Sequence, residues 1–324
     1  VYNLSLFGDP PSPEGDTFDR ARLARKLADL AKRGVWIGTS SWKYEGWLGQ
    51  IYTRQRYSTR GRFSEKRFQQ ECLGEYAETF PIVCGDFSFY QFPTPEFWQR
   101  LFTSAGPDLR FALKVPEEIT CCIFPEHARY GERGGQTNMS FLDATLFERM
   151  FLDALAPYRE RVAVLIFEFG TFPRRAFESA RQFAAVLDPF LALLPRTFRY
   201  AVEIRNQEFL DPVYFDCLAR HGVAHVFNAW TRMPEIGRQV QMPETFTADF
   251  TVVRALLRRG RPYEDAVARF SPYSSIQDPN PETRAALKEL IARSEEDRKP
   301  LYVFVNNRIE GNAPRTIQAV VEEQ

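Results

Sequence analysis

Eight short apolar runs in this chain each end on a side chain able to do chemistry. Ser40 and Trp42 follow the first run, Asp86 and Tyr90 the second, and Lys114 ends the third. Glu168 ends the fourth, Glu203 and Arg205 the fifth, Asn228 the sixth, Arg254 the seventh, and Asn306 with Asn307 the eighth. Carboxylates beside a lysine and arginines are the materials of acid–base catalysis or of anion binding. Glu203 is the first candidate for a general acid or base and Glu168 the second, because burial raises a carboxyl pKa. Lys114 works against that rise by stabilising the carboxylate. The bland alternative is mutual pairing, Glu203 with Arg205 and Arg254 with Glu203 or Asp86, since an uncompensated charge in such a place costs several kcal/mol.

The anion reading assigns Lys114, Arg205 and Arg254 to neutralise a small phosphate or carboxylate, and Asn306 and Asn307 to orient it. Ser40, Trp42, Asp86 and Tyr90 complete the expected ligand set, with Trp42 and Tyr90 as walls. After the eighth run, "NNRIEGNAPR" offers Gly311 for a tight turn, Asn312 as an N-cap and Pro314 in the first helical turn, a helix start whose N–H groups attract anions. Asn306 shares parity with Phe304 and is expected to face the pocket; Asn307, on the other parity, is expected to tie down the loop.

Other chemistries fit less well. Glu168 and Glu203 lie on neighbouring runs and suggest a glycosidase pair, but the seventh run supplies Arg254 where many such enzymes place a carboxylate. Asp86, Glu168, Glu203 and Asn306 would suit Mg²⁺ or Mn²⁺; only His127, His221 and His225 are present, too few for a histidine-rich zinc cluster. No metal and no organic cofactor is expected. His221, in "ARHG", reads as a residue capping a helix end.

Positioning such residues requires a regular scaffold. The runs are residues 35–39, 82–88, 110–115, 162–167, 198–204, 223–227, 250–254 and 301–305, and helical patterns at 64–79, 95–102, 144–155, 174–194 and 281–293 alternate with them. Strands alternating with helices imply parallel pairing, and eight units over roughly 290 residues match a closed (β/α)8 barrel, whose working face lies at the C-terminal strand ends. An open doubly wound sheet is the alternative. Residues 1–16 read as a loose arm, followed by an amphipathic helix capped by Asp16 or Thr17 and stopped by Gly34. The expected organisation is an arm and helix over 1–34 and one barrel domain over 35–324.

"GTSSW" (38–42), "FYQFPTP" (89–95), "FALKVPEEIT" (111–120), "YAVEIR" (200–205) and "YVFVNNRIEGNAP" (302–314) resemble the YecE-like family, a family built on a domain of unknown function, DUF72. The resemblance runs from about Val35 to the C-terminus. It implies a TIM-barrel-like fold and supplies no established reaction. Lys114, Glu203, Arg205, Arg254, Asn306 and Asn307 match the family pattern. The chain departs from it at Cys84-Gly85-Asp86 where Glu-x-Asn is usual, at Glu168-Phe169-Gly170 for Gln-Leu-Pro, at Leu256-Leu257 for His-Gly, and at Cys121 for His.

Composition sets the outer limits. The 324 residues are 44% hydrophobic and 26% charged, enough for a sizeable core. Forty-two basic and forty-two acidic residues cancel, so nucleic acid and anionic membranes are not expected partners. Five cysteines without a CxxC, and an N-terminus without a signal pattern, read as a reduced cytoplasmic chain with free thiols, a vicinal Cys121–Cys122 disulfide being the alternative. No run approaches the ~18 apolar residues of a membrane span. The leading expectation is a small-molecule enzyme, or a degenerate relative of one, with an anion pocket at the barrel mouth. A non-catalytic binding barrel and a phosphodiesterase or other nucleic-acid-processing barrel stand as alternatives, and the residues leave open whether the chain is catalytic.

Overall fold

Side-chain alternation along each strand separates two apolar layers and decides where the charges go. In Val162–Glu168, Val164 and Ile166 face one core and Leu165 and Phe167 another. The first core fills the inside of a closed barrel; the second packs the outside of the same strands against helices. The computed structural model of the protein describes residues 18–322, so the arm expected at 1–16 lies outside the described residues.

The barrel strands are β1 (Val35–Thr39), β2 (Ile82–Gly85), β3 (Arg110–Lys114), β4 (Val162–Glu168), β5 (Tyr200–Glu203), β6 (Ala224–Ala229), β7 (Thr251–Ala255) and β8 (Leu301–Val305). All pairings are parallel and consecutive, and β8 returns to β1. The closing seam is narrow. β1 meets β2 through the single registered pair Thr39 and Val83, and a Cβ on Gly38 would stand 1.9 Å from the Ile82 carbonyl oxygen, so only glycine permits this approach.

The interior holds Ile82, Cys84, Ala112, Val164, Ile166, Ala201, Val226, Val252 and Phe304. Two residues further along the same faces come Asp86, Lys114, Glu168, Glu203, Asn228, Arg254 and Asn306. The polar ring is the continuation of the inner core's parity into the barrel mouth.

The principal helices are α1 (Arg20–Lys32), α2 (Glu65–Ala77), α3 (Pro95–Ser104), α4 (Ala180–Leu193), α5 (Pro212–His221), α6 (Tyr263–Phe270), α7 (Pro281–Asp297) and α8 (Ala313–Glu322). Asp19, rather than Asp16 or Thr17, caps α1 by accepting from Arg22 N, and Leu23, Leu27 and Leu30 are its buried stripe. Arg20 ties α1 to the α2 end through Glu75 (3.0 Å), Glu78 (2.6 Å) and Thr79 (2.9 Å). The expected helix at 144–155 is broken into short α and π turns before Pro157. Residues 174–179 stay outside α4, which Ser179 caps through Gln182 N. Trp98 and Phe102 pack in the core between α3 and the barrel, as their helical spacing predicts.

His221 does not cap its own helix. Its Nε2 meets Asp188 Oδ1 at 2.9 Å, joining α5 to α4, because the ring lies against the neighbouring helix rather than over the last turn.

Candidate functional site: the barrel mouth

Six charged side chains converge where the inner strand faces reach the C-terminal end of the barrel. Lys114 Nζ lies 3.0 Å from Asp86 and 2.9 Å from Glu168. Arg205 contacts Glu168 at 2.9 Å and Glu203 at 3.2 Å. Arg254 donates Nη1 to Glu168 at 2.5 Å and to Glu203. Three cations face three carboxylates, so the cage is neutral in sum. Glu203 is fully buried, Arg254 2% exposed, Lys114 4% and Glu168 5%.

Protonation follows from this packing. Burial by itself raises the Glu168 pKa, but Arg205, Lys114 and Arg254 outweigh it and hold the carboxyl well below the usual carboxylate range. Burial pulls Lys114 down, and Glu168 and Asp86 more than restore it, so the amine stays an ammonium. Arg254 is raised well above its ordinary value by the two glutamates, against its own desolvation. Glu168 is therefore a permanent carboxylate and Lys114 a permanent cation at neutral pH. The sequence argument that burial lifts the second candidate acid toward a useful pKa loses here to the three cations.

Arg254 also fills the space between the two glutamates. A glycosidase pair needs a scissile bond there, and a guanidinium occupies it instead. Among the described residues no group of three or more His, Cys, Asp or Glu side chains is arranged to hold a metal ion.

The residues after β8 are more self-contained than their sequence suggested. Asn307 Oδ1 accepts from Trp47 Nε1 at 3.2 Å and from Ala313 N at 2.8 Å, and Asn312 Oδ1 accepts from Arg315 N at 2.9 Å. Two N–H groups at the start of α8 are thus taken by side chains of the same loop. Asn307 fixes the loop, as its parity predicts. Asn306 lies on the inward parity at 5% exposure, with Oδ1 accepting from Arg308 N at 3.0 Å.

The outlying candidates divide. Ser40 is buried at the end of β1. Trp42 is buried too, edge-on to Phe87, and borders a groove between α2 and α3 rather than the ion cage. Tyr90 is 50% exposed and lies under the Arg129 guanidinium at 4.1 Å. Of the positions departing from the family pattern, Cys84 is inside the barrel with its thiol pushed by burial to about 12. Cys121 donates to the Ile123 carbonyl, and its thiol is likewise raised by burial to about 12. Leu256 and Leu257 form a small apolar cluster with Ala266 and Phe270, under Trp230 and Tyr273. All five cysteines are free.

One pocket at the mouth was not read from the sequence. A cavity of about 340 Å³ is lined by Thr171, Arg205, Asn206, Glu208, Thr231, Arg232 and Arg259, from the loops after β4, β5, β6 and β7. Arg205 is its floor, shared with the cage, and stacks on Trp230 at 3.8 Å. Arg232 and Arg259 make no ion pair within 4 Å among the described residues; Glu208 accepts from Asn206 at 2.7 Å. With the cage neutral, these two arginines against Glu208 leave the lining one positive charge in excess. The signals for it were "TRM" after the sixth run and the Arg-Arg-Gly of "LLRRGRP" after the seventh.

The fold and mouth together define a closed, parallel (β/α)8 barrel with a charge-paired C-terminal face. Residues 36–323 match the sequence profile described as "Protein of unknown function DUF72", and the chain belongs to that family. Solved structures of DUF72 family proteins share the fold. The one from Thermotoga maritima is 20% identical, with TM-score 0.58, covering 89% of this chain and 98% of its own. One from Enterococcus faecalis is 18% identical, with TM-score 0.58, covering 89% of this chain and 95% of its own. No curated protein matches. Among the described residues no helix is long and apolar enough to cross a membrane.

Proposed function

We propose that the barrel mouth binds a small anionic molecule over Arg205, Arg232 and Arg259, with the ion cage beneath it as a fixed charged floor. One observation carries this reading: two arginines without an ion-pair partner border the same cavity as Arg205. Its volume, about 340 Å³, is at the small end of the ~300–1,000 Å³ typical of small-molecule sites. The single excess positive charge suits a carboxylate or a phosphate monoanion.

The chemistry open to such a site is electrostatic. Glu168 and Lys114 are locked in their ionised forms, so neither serves as a proton donor and base in turn near neutral pH. Fixed guanidinium groups can still hold negative charge, in a bound ligand or as it develops during a reaction. The reading is therefore a ligand-binding barrel, with any catalysis resting on anion stabilisation. Calorimetric titration with phosphate at constant ionic strength tests it. One anion per chain is expected, with affinity at least about tenfold weaker in Arg232→Ala/Arg259→Ala, the loss of roughly 1.5 kcal/mol in charged hydrogen bonds; equal affinities in the two proteins would refute it.

A further inference from the structure

Three inward-facing side chains at the mouth carry buried atoms with no hydrogen-bond partner among the described residues: Ser40 Oγ, Asn228 Oδ1 and Arg254 Nε. Native proteins leave few such atoms, and each calls for an explanation. Asn228 and Arg254 are register partners on β6 and β7. The rest of each side chain is already committed. Asn228 Nδ2 donates to Ile204 O at 3.1 Å and Val226 O at 3.3 Å, while Arg254 Nη1 serves the two glutamates. What remains is one acceptor beside one donor, on neighbouring strands.

That pair selects a chemical group. A carboxylate or phosphate oxygen can accept from Arg254 Nε but has no proton for Asn228 Oδ1, and an ammonium has the reverse defect. A hydroxyl satisfies both at once. Ser40 Oγ adds a further donor and acceptor, two residues beyond Gly38, which pairs with Phe304, itself the partner of Arg254. The arginine-lined cavity stands on the same two strands: Thr231 and Arg232 follow Asn228 directly on β6, and Arg259 follows Arg254 on β7.

Resting on the anion reading above, we infer that the ligand is a hydroxylated monoanion, a small hydroxy acid of the sugar-acid class. Its charge lies over Arg205, Arg232 and Arg259, and its hydroxyls reach Asn228, Arg254 and Ser40. The neutral, polar side of the mouth reads hydroxyls, and the arginine side reads charge. A ligand with charge alone leaves the orphaned atoms unmet.

The test compares gluconate with hexanoate, equal in charge and carbon number, by calorimetry on the full chain, with phosphate as the charge-only probe. Gluconate is expected to bind about tenfold more tightly than hexanoate, and Ser40→Ala and Asn228→Ala are each expected to narrow that ratio about fivefold while leaving phosphate affinity unchanged. Ser40→Ala removes an atom without a protein partner and so should fold normally, which guards against a trivial loss through unfolding. Equal binding of gluconate and hexanoate, with phosphate still bound, overturns the hydroxyl assignment and leaves the anion pocket standing, the orphaned atoms then being met by water alone. Failure of all three probes overturns both.

Discussion

Arg254 donates one guanidinium nitrogen to Glu168 at 2.5 Å across the barrel mouth, a contact between β7 and β4, strands that are not neighbours in the sheet. The same nitrogen serves Glu203. One cation thus compensates two buried carboxylates, and removing it strands both.

Arg254→Met should therefore cost about 3–5 kcal/mol, the usual cost of breaking a buried pair from one side. Adding Glu168→Gln and Glu203→Gln should recover most of that loss, since the charge left behind would be gone. Urea unfolding of the single and triple variants measures both. A single variant as stable as the parent would mean that water, not Arg254, compensates the glutamates.

The cage should not respond to moderate pH. Glu168 has a folded pKa below its unfolded value of about 4.3, so its contribution is complete above that pH and is lost only as pH falls through the lower folded value. Lys114 has a raised folded pKa, so its contribution is complete below about 10.4 and is lost as pH rises through the folded value. Phosphate affinity, corrected for the ligand's own titration, should be flat from about pH 5 to 9. A step within that range would place a titrating group in the site.

His225 should dominate acid sensitivity. Burial lowers its pKa from 6.5 to about 4, with its ring among Tyr214, Phe215 and Phe227. Between those values the unfolded chain binds a proton the folded chain refuses, so stability falls as pH drops from 6.5 toward 4, by about 3 kcal/mol in all. His225→Gln should flatten that part of the stability curve even if it lowers the plateau. An unchanged slope would assign the effect elsewhere.

Glu75 should prove a structural carboxylate. It is buried and accepts from Arg20 at 3.0 Å, Thr53 N at 3.0 Å, Thr53 Oγ1 at 2.7 Å and Tyr57 at 2.7 Å. Glu75→Gln replaces an acceptor by a donor amid donors and should cost about 2–3 kcal/mol. Hydrogen exchange in α1 should accelerate with it, because Arg20 is that helix's tether. Loss of global stability without faster exchange in α1 would show that Glu75 holds only the Thr53–Tyr57 turn.

The fold was legible because it rests on periodicity. Each of the eight apolar runs corresponds to a barrel strand, with ends displaced by up to three residues where the strands hand over to loops, as at residues 82–88, which shorten to Ile82–Gly85. The cage was half legible. Parity placed Lys114, Glu168, Glu203, Arg254 and Asn306 on one inner face, but which charges cancel depends on reach across the barrel, and a period of two is silent on that. Arg232 and Arg259 were missed for a related reason: they lie on loops, where no periodicity operates, and only the closure of β5, β6 and β7 side by side brings them to Arg205. The start of α8 looked ready for an anion because capping by Asn307, five residues upstream of Asn312, is a tertiary fact of the loop.

The central claim concerns where a small anion sits, and diffraction from crystals soaked in selenate locates one directly through selenium's anomalous signal. The account predicts a single strong peak within hydrogen-bonding distance of Arg205, Arg232 and Arg259, absent in the Arg232→Ala/Arg259→Ala variant. A peak at the start of α8 beside Asn312 and Ala313, or no peak anywhere at the mouth, would contradict it.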